Sequence, residues 1–197
     1  MPKAASPSPT SVRVLYWFRT DLRLHDSPAL TAALSLNPSL FYPCWLWDPH
    51  YVYRARVGPN RWQYLLDCQT DLSRSLTKLN PKQKLLVVRE APQTGIPKLL
   101  KEWKITHLVF EKDTDAYAKA RDETVIKAAR EMGVEVVVKS GRTLWDSDEL
   151  VKANGGKPTM SITQVQHVRY TPDGRYLCRN KRGLVFSDHV SLYSSRL

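Results

Sequence analysis

Apolar residues gather in five short blocks: Val12 to Phe18, Leu40 to Trp47, Leu85 to Val88, His107 to Phe110 and Val134 to Val138. Each block is nearly continuously apolar and rich in Val, Leu or aromatic side chains. That pattern predicts strands covered on both faces, since a sheet with one wet face would alternate. The stretches between them carry helical periodicity. Leu22 to Leu36 holds Pro28 and a run of Ala and Leu. Asn60 to about Leu79 puts Trp62, Leu65, Leu66, Leu72, Leu76 and Leu79 on one face, with Asn60 as the expected N-cap. Pro97 to Trp103 reads as a short helix opening on a proline. Tyr117 to Met132 follows, with Gly133 where a closing glycine belongs.

Strand and helix therefore alternate along the chain. Each right-handed crossover returns to the same sheet, so the expected fold is α/β, a five-stranded doubly wound parallel sheet of Rossmann-like type. Beyond Trp145 the pattern weakens, and Asn154-Gly155-Gly156-Lys157-Pro158 is turn-rich. A hairpin around Pro172-Asp173-Gly174 is the most that Tyr170 to Leu192 suggests. The expected organisation is a disordered Ser/Pro-rich leader over 1–11, an α/β domain over 12–166, and an irregular, poorly structured tail over 167–197.

Composition narrows the function classes. The sequence has 197 residues, 42% of them hydrophobic and 25% charged, which is ordinary for a globular protein. No apolar stretch approaches the roughly 20 residues that span a bilayer, and the leader has no apolar core for a secretory signal. Three cysteines without a Cys-x-x-Cys, and five scattered histidines, predict neither a disulfide framework nor a metal site. Net charge is +11, which favours polyanions in general. No dense basic run occurs before Arg179-Asn180-Lys181-Arg182, so DNA binding by this chain alone is expected to be weak or indirect.

In open parallel sheets ligands bind beyond the carboxyl ends of the strands, at the switch in strand order. The segments expected there are Arg19-Thr20-Asp21, Asp48-Pro49-His50, Arg89-Glu90, Glu111 to Asp115, and Ser140 to Arg142. The first is charged and free of glycine. It matches neither a Walker A loop nor a Gly-x-Gly-x-x-Gly turn, which argues against a nucleotide phosphate cradle.

The stretch Val14-Leu15-Tyr16-Trp17-Phe18-Arg19-Thr20-Asp21-Leu22-Arg23-Leu24-His25-Asp26-Ser27-Pro28-Ala29-Leu30 closely resembles the opening signature of the photolyase/cryptochrome family, with Ser27 in place of the usual Asn. Tyr42 to Pro49 resembles the family's second strand and its Asp-Pro exit. Gly58-Pro59-Asn60-Arg61 is similar to the helix start of 6-4 photolyases and animal-type cryptochromes. Lys112 to Asp122, Thr143 to Asp146 and Pro158 to Thr163 also fit. The resemblance runs from about Val12 to Gln166, the family's N-terminal domain, and stops before His167-Val168-Arg169-Tyr170-Thr171.

That resemblance implies an antenna-chromophore domain, with a deazaflavin or a folate as antenna and FAD held only in a helical C-terminal domain. It implies DNA photorepair or blue-light signalling in a full-length protein, truncated here before the flavin domain and without activity of its own. By resemblance Arg61 and Asp115 match antenna-binding positions of deazaflavin-using relatives. Asp48 and Arg19 follow as further candidates. Each has a purely structural reading as well: an exposed charge, a helix end, or a strand-end cap. The Arg19, Asp21 and Arg23 charges are expected to tie the loop and cap the next helix. The expected partner is the helical flavin domain, with self-association through an uncovered interdomain face, in the nucleus or cytoplasm. An interaction or regulatory module without chromophore, or an unrelated nucleotide-binding α/β domain, are the alternatives.

Overall fold

The computed structural model describes residues 11–19, 21–54, 56–143, 145–169, 176–180 and 183–187. The chain divides into two compact units between Arg142 and Thr143. The first contains β1 (Arg13–Phe18), α1 (Pro28–Ser35), β2 (Leu40–Leu46), α2 (Pro49–Arg54), α3 (Pro59–Leu79), β3 (Leu86–Val88), α4 (Pro92–Glu102), β4 (His107–Glu111), α5 (Ala116–Glu131) and β5 (Glu135–Lys139). All five strands are parallel, in the order β3-β2-β1-β4-β5. This is the expected doubly wound sheet, and the order reverses between β1 and β4.

The central strand explains why the apolar blocks are continuous. Leu15 and Trp17 point to one face, where Cys44, Leu46, Leu108 and Phe110 meet Ile96, Leu99 and Leu100 of α4 and Val125 and Ala129 of α5. Val14, Tyr16 and Phe18 point to the other, where Trp45 and Val109 meet Ala29, Leu30 and Ala33 of α1 and Leu72 and Leu76 of α3. Both sides are dry, so both parities of the strand must be apolar.

Helix boundaries depart from the sequence expectation where local polar bonds override periodicity. Leu22 to Asp26 is not helical. Arg23 pairs there with Asp21 at 2.7 Å and donates to the carbonyl of Asp26 at 3.0 Å, and Asp26 takes a φ of 48°. The cap of α1 is Ser27, whose hydroxyl accepts from Leu30 N at 3.2 Å, so the Arg–Asp pair ties the loop without capping the helix. In α3 the N-cap is Gly58 and not Asn60, because the fixed φ of Pro59 suits the first helical position. Leu66 and Leu79 are 47% and 76% exposed, so its apolar face is narrower than the pattern suggests. Helix α4 begins at Pro92, and Pro97 lies inside it. The helix forfeits one backbone bond at Pro97 and is held by Ile96, Leu99 and Leu100 beneath it. Helix α5 ends as expected, with Gly133 at φ 75°.

The second unit contains more regular structure than the sequence suggested. Helix α6 (Ser147–Ala153) is capped by Asp146, which accepts from Asp148 N and Glu149 N; α7 spans Ile162–Arg169. Strands β6 (Tyr176–Asn180) and β7 (Gly183–Ser187) pair antiparallel. The hairpin expected around Pro172-Asp173-Gly174 falls on residues outside the described set, and the observed pair begins after them. Residues 1–10 of the leader also lie outside it.

Candidate functional site

Arg19 follows β1 at the switch in strand order. Its guanidinium donates to the carbonyl of Glu111 at 3.0 Å, to the carboxylate of Asp122, and to Asp113 at 3.3 Å. It also lies over Trp17 and Phe110, 4.9 and 5.5 Å from the ring centroids. One side chain thus joins the ends of β1 and β4 to the middle of α5. Burial lowers the Arg19 pKa below arginine's ordinary value, Arg121 adds to that, and Asp122 and Asp113 oppose it.

Arg121 is the second buried cation. It bonds Asp122 at 3.1 and 3.2 Å and Asp48 at 3.4 Å, and covers Trp17 at 5.0 Å. Asp122 therefore bridges two guanidiniums, and Arg121 carries the network on to Asp48 at the end of β2. Asp48 is 5% exposed. It accepts from His50 N at 2.9 Å and from the Tyr117 hydroxyl at 3.0 and 3.2 Å. Burial raises the Tyr117 pKa, and its bond to Asp48 raises it further.

Beside the switch, Arg142 pairs with Asp113 at 2.9 Å and lies 3.9 Å from Glu111. Burial raises the Glu111 pKa, with Asp21 adding to the effect. At Asp113 burial acts upward too. The N–H of Asp115 and the charges of Arg19 and Arg142 outweigh it and hold the carboxyl below its ordinary value. Three guanidiniums face the three carboxylates of Asp48, Asp113 and Asp122, with the Glu111 carboxyl beside Arg142. Cations and anions are nearly balanced, as they must be in a buried network to avoid a large desolvation penalty.

Above it opens a cleft of about 540 Å³, lined by Asp48, Pro49, His50, Tyr53, Ala91, Gln93 and Tyr117. It lies beyond the carboxyl ends of β2 and β3 and against α5. The His50 and Tyr117 rings stack at 3.6 Å with 9° between their planes. Among the described residues no group of His, Cys, Asp and Glu is placed to hold a metal ion, and no helix is long and apolar enough to cross a membrane.

The structure brings two of the sequence-derived candidates together. Asp48 and Arg19 belong to one network through Arg121 and Asp122, and Asp48 lines the cleft. Arg61 and Asp115 are not part of that network. Arg61 is exposed in the first turn of α3, and Asp115 is the exposed N-cap of α5, accepting from Ala118 N at 3.2 Å. Sequence reasoning passed over Tyr117, Arg121 and Asp122 as site residues. A signal for the last two was present. Buried Ala118, Val125 and Ala129 define the inner stripe of α5, and Arg121 and Asp122 fall on it. A charged pair on an apolar stripe marks a paired polar network.

The fold and site define a doubly wound α/β domain with a cleft beyond the strand carboxyl ends. The model of the family described as DNA photolyase matches residues 14–173, and the chain belongs to that family. Cryptochrome-2 of Gallus gallus is 44% identical over 169 residues, 85% of this chain and 28% of that protein. The chain thus spans little more than a quarter of that relative. The cryptochrome of Synechocystis sp. PCC6803 superposes with a TM-score of 0.64 at 27% identity, over 70% of this chain and 29% of that one. An archaeal photolyase from Sulfolobus tokodaii, described with two FAD molecules and an implied novel light-harvesting cofactor, shares the fold at 21% identity. Its TM-score is 0.63, over 70% of this chain and 31% of that one.

Proposed function

We propose that this chain is the antenna-chromophore-type domain of a photolyase/cryptochrome light-responsive flavoprotein. The observation that supports this most is the cleft beside the strand-order switch. Its volume of about 540 Å³ suits a small flat ligand, for which sites run roughly 300–1,000 Å³. Its wall is aromatic, and its floor is an ion-pair network already close to neutral. Such a floor favours an uncharged ring system over a phosphate. Arg19 fills the end of β1 where a nucleotide-binding domain would present bare backbone N–H groups. That speaks against a phosphate cradle there.

A deazaflavin or a folate is the proposed antenna. When bound, it supplies light absorption and passes the excitation to a flavin. Asp48 would orient its polar edge, and Arg19 would hold the floor through Asp122 and Arg121. Arg61 and Asp115 are proposed as further contacts from the starts of α3 and α5. The FAD would be held by a helical C-terminal domain, the proposed partner. Photorepair of DNA or blue-light signalling would belong to that larger assembly, in the nucleus or cytoplasm.

The test is the absorbance spectrum of the purified chain with and without added deazaflavin, folate and FAD. A deazaflavin-like visible band that disappears with Asp115→Ala supports the reading. Stoichiometric FAD on the chain alone, or failure to take up either antenna, counts against it.

A further inference from the structure

The His50–Tyr117 stack is closer and flatter than protein aromatic pairs usually are. Aromatic pairs prefer offset or edge-on packing with centroids about 4.5–7 Å apart. These rings sit 3.6 Å apart at 9°. The Arg121 guanidinium lies 5.8 Å from the centroid of the Tyr117 ring, and the buried carboxylates hold it in place. The phenol is equally fixed, because its hydroxyl bonds both oxygens of Asp48. Tyr117 is thus a rigid platform, fixed through Asp48 with Arg121 close by, and His50 stacks on it.

His50 is held far less firmly. It lies in α2, a helix of six residues, and its side chain is half-buried at the cleft wall. Its backbone N–H bonds Asp48 at 2.9 Å, a bond that anchors the main chain and does not involve the imidazole. Its other ring neighbour is Tyr51, edge-on at 5.4 Å and itself 42% exposed.

We propose that His50 is a self-ligand of the cleft: its imidazole occupies the stacking position on Tyr117 that a planar heteroaromatic ligand takes, and it swings aside on binding. This rests on reading the cleft as a flat-ring site. It adds that the intrinsic platform is Tyr117 and that His50 sets which rings enter. A ligand must stack on the phenol better than an imidazole does. Extended fused rings meet that requirement, and single small rings do not.

The probe is 5-deazariboflavin, a fused tricycle without phosphate. Its binding to the full chain is followed by equilibrium dialysis for the natural sequence, His50→Ala and His50→Ala/Tyr117→Leu. Circular dichroism confirms that each variant is folded. Uncovering Tyr117 removes a competing stack, so His50→Ala is expected to tighten binding roughly two- to tenfold. Adding Tyr117→Leu should abolish the gain. Unchanged or weaker binding by His50→Ala overturns the proposal, as does an absence of binding by every folded variant. Binding by His50→Ala but not by the natural sequence supports the plug, and counts against the chain's service as an antenna domain in its native form. Equal binding by both, lost with Asp115→Ala, supports the antenna reading and overturns the plug.

Discussion

Asp122→Asn isolates the buried charge from everything else at the site. Asparagine keeps the shape and one acceptor, so what changes is the negative charge between Arg19 and Arg121. Those side chains are 5% and 6% exposed, so water cannot replace the lost anion. Breaking a buried pair from one side costs about 3–5 kcal/mol. Asparagine's remaining hydrogen bond places this variant near the lower end. Against a total stability of about 5–15 kcal/mol, that is a large fraction. For a unit of this size each kcal/mol lowers the melting temperature by roughly 2–4 °C, so a fall of about 6–12 °C is expected. Trp17 lies under both guanidiniums, so tryptophan fluorescence during a thermal or urea melt reports on this region. The comparison is Asp115→Ala, which removes an exposed helix cap and costs about 1 kcal/mol. If Asp122→Asn shifts the midpoint no further than Asp115→Ala, the buried charge between Arg19 and Arg121 does not hold the strand ends to α5.

Two neighbouring carboxyls should show opposite pH signatures in urea melts from pH 3 to 8. The Glu111 pKa is raised in the fold, so its contribution is present at low pH and lost as pH rises through the folded value. Glu111→Gln should therefore stabilise at neutral pH and lose that advantage in acid; a benefit that persists to pH 3 refutes the assignment. The Asp113 pKa is lowered, so its contribution is present at neutral pH and lost as pH falls through the folded value. Asp113→Asn should cost stability at pH 7 and little near pH 3. Gly141→Ala should destabilise by about 1–3 kcal/mol through overpacking, because a Cβ there meets Glu111 Oε1 and Pro28 Cδ at 2.9 Å; an unchanged melt would show that the loop yields. Burial pushes the Cys44 thiol up to about 12, so peptide mapping after native alkylation at pH 8 should find Cys68 modified well ahead of Cys44.

Most of the sheet was legible because its signal is additive. Every residue of β1 and β4 is apolar or at a strand end, and no local polar bond competes with it. The helix starts were harder. In Leu22 to Asp26 the decisive event is the Arg23–Asp21 pair, which periodicity does not register. In α4 a proline sits where a helix should not tolerate it, and only the core beneath explains why it does. For the site, the strand-end rule pointed to the segments that carry Arg19 and Asp48, which the structure places in one network. Their link runs through Arg121 and Asp122, which sit mid-helix, and side chains from a different crossover cannot be placed by reading strand ends alone.

The central position of β1 has a consequence for synthesis. Its two neighbours in the sheet both follow it in the chain, at very different distances. β2 follows within one helix, while Thr106, which bonds Arg13 beside β4, lies 93 positions on. Arg19 and Asp122 are 103 positions apart, and translation at about 5–20 residues per second separates their emergence by roughly 5–20 s. Until β4 emerges, late in that interval, only β1, β2 and β3 can assemble. The central strand of the domain then forms an open edge, an invitation to pair with a strand from another chain. Slow elongation between β3 and β4 should therefore prolong chaperone dependence, and codon choice across residues 89–106 should affect soluble yield without altering the folded protein.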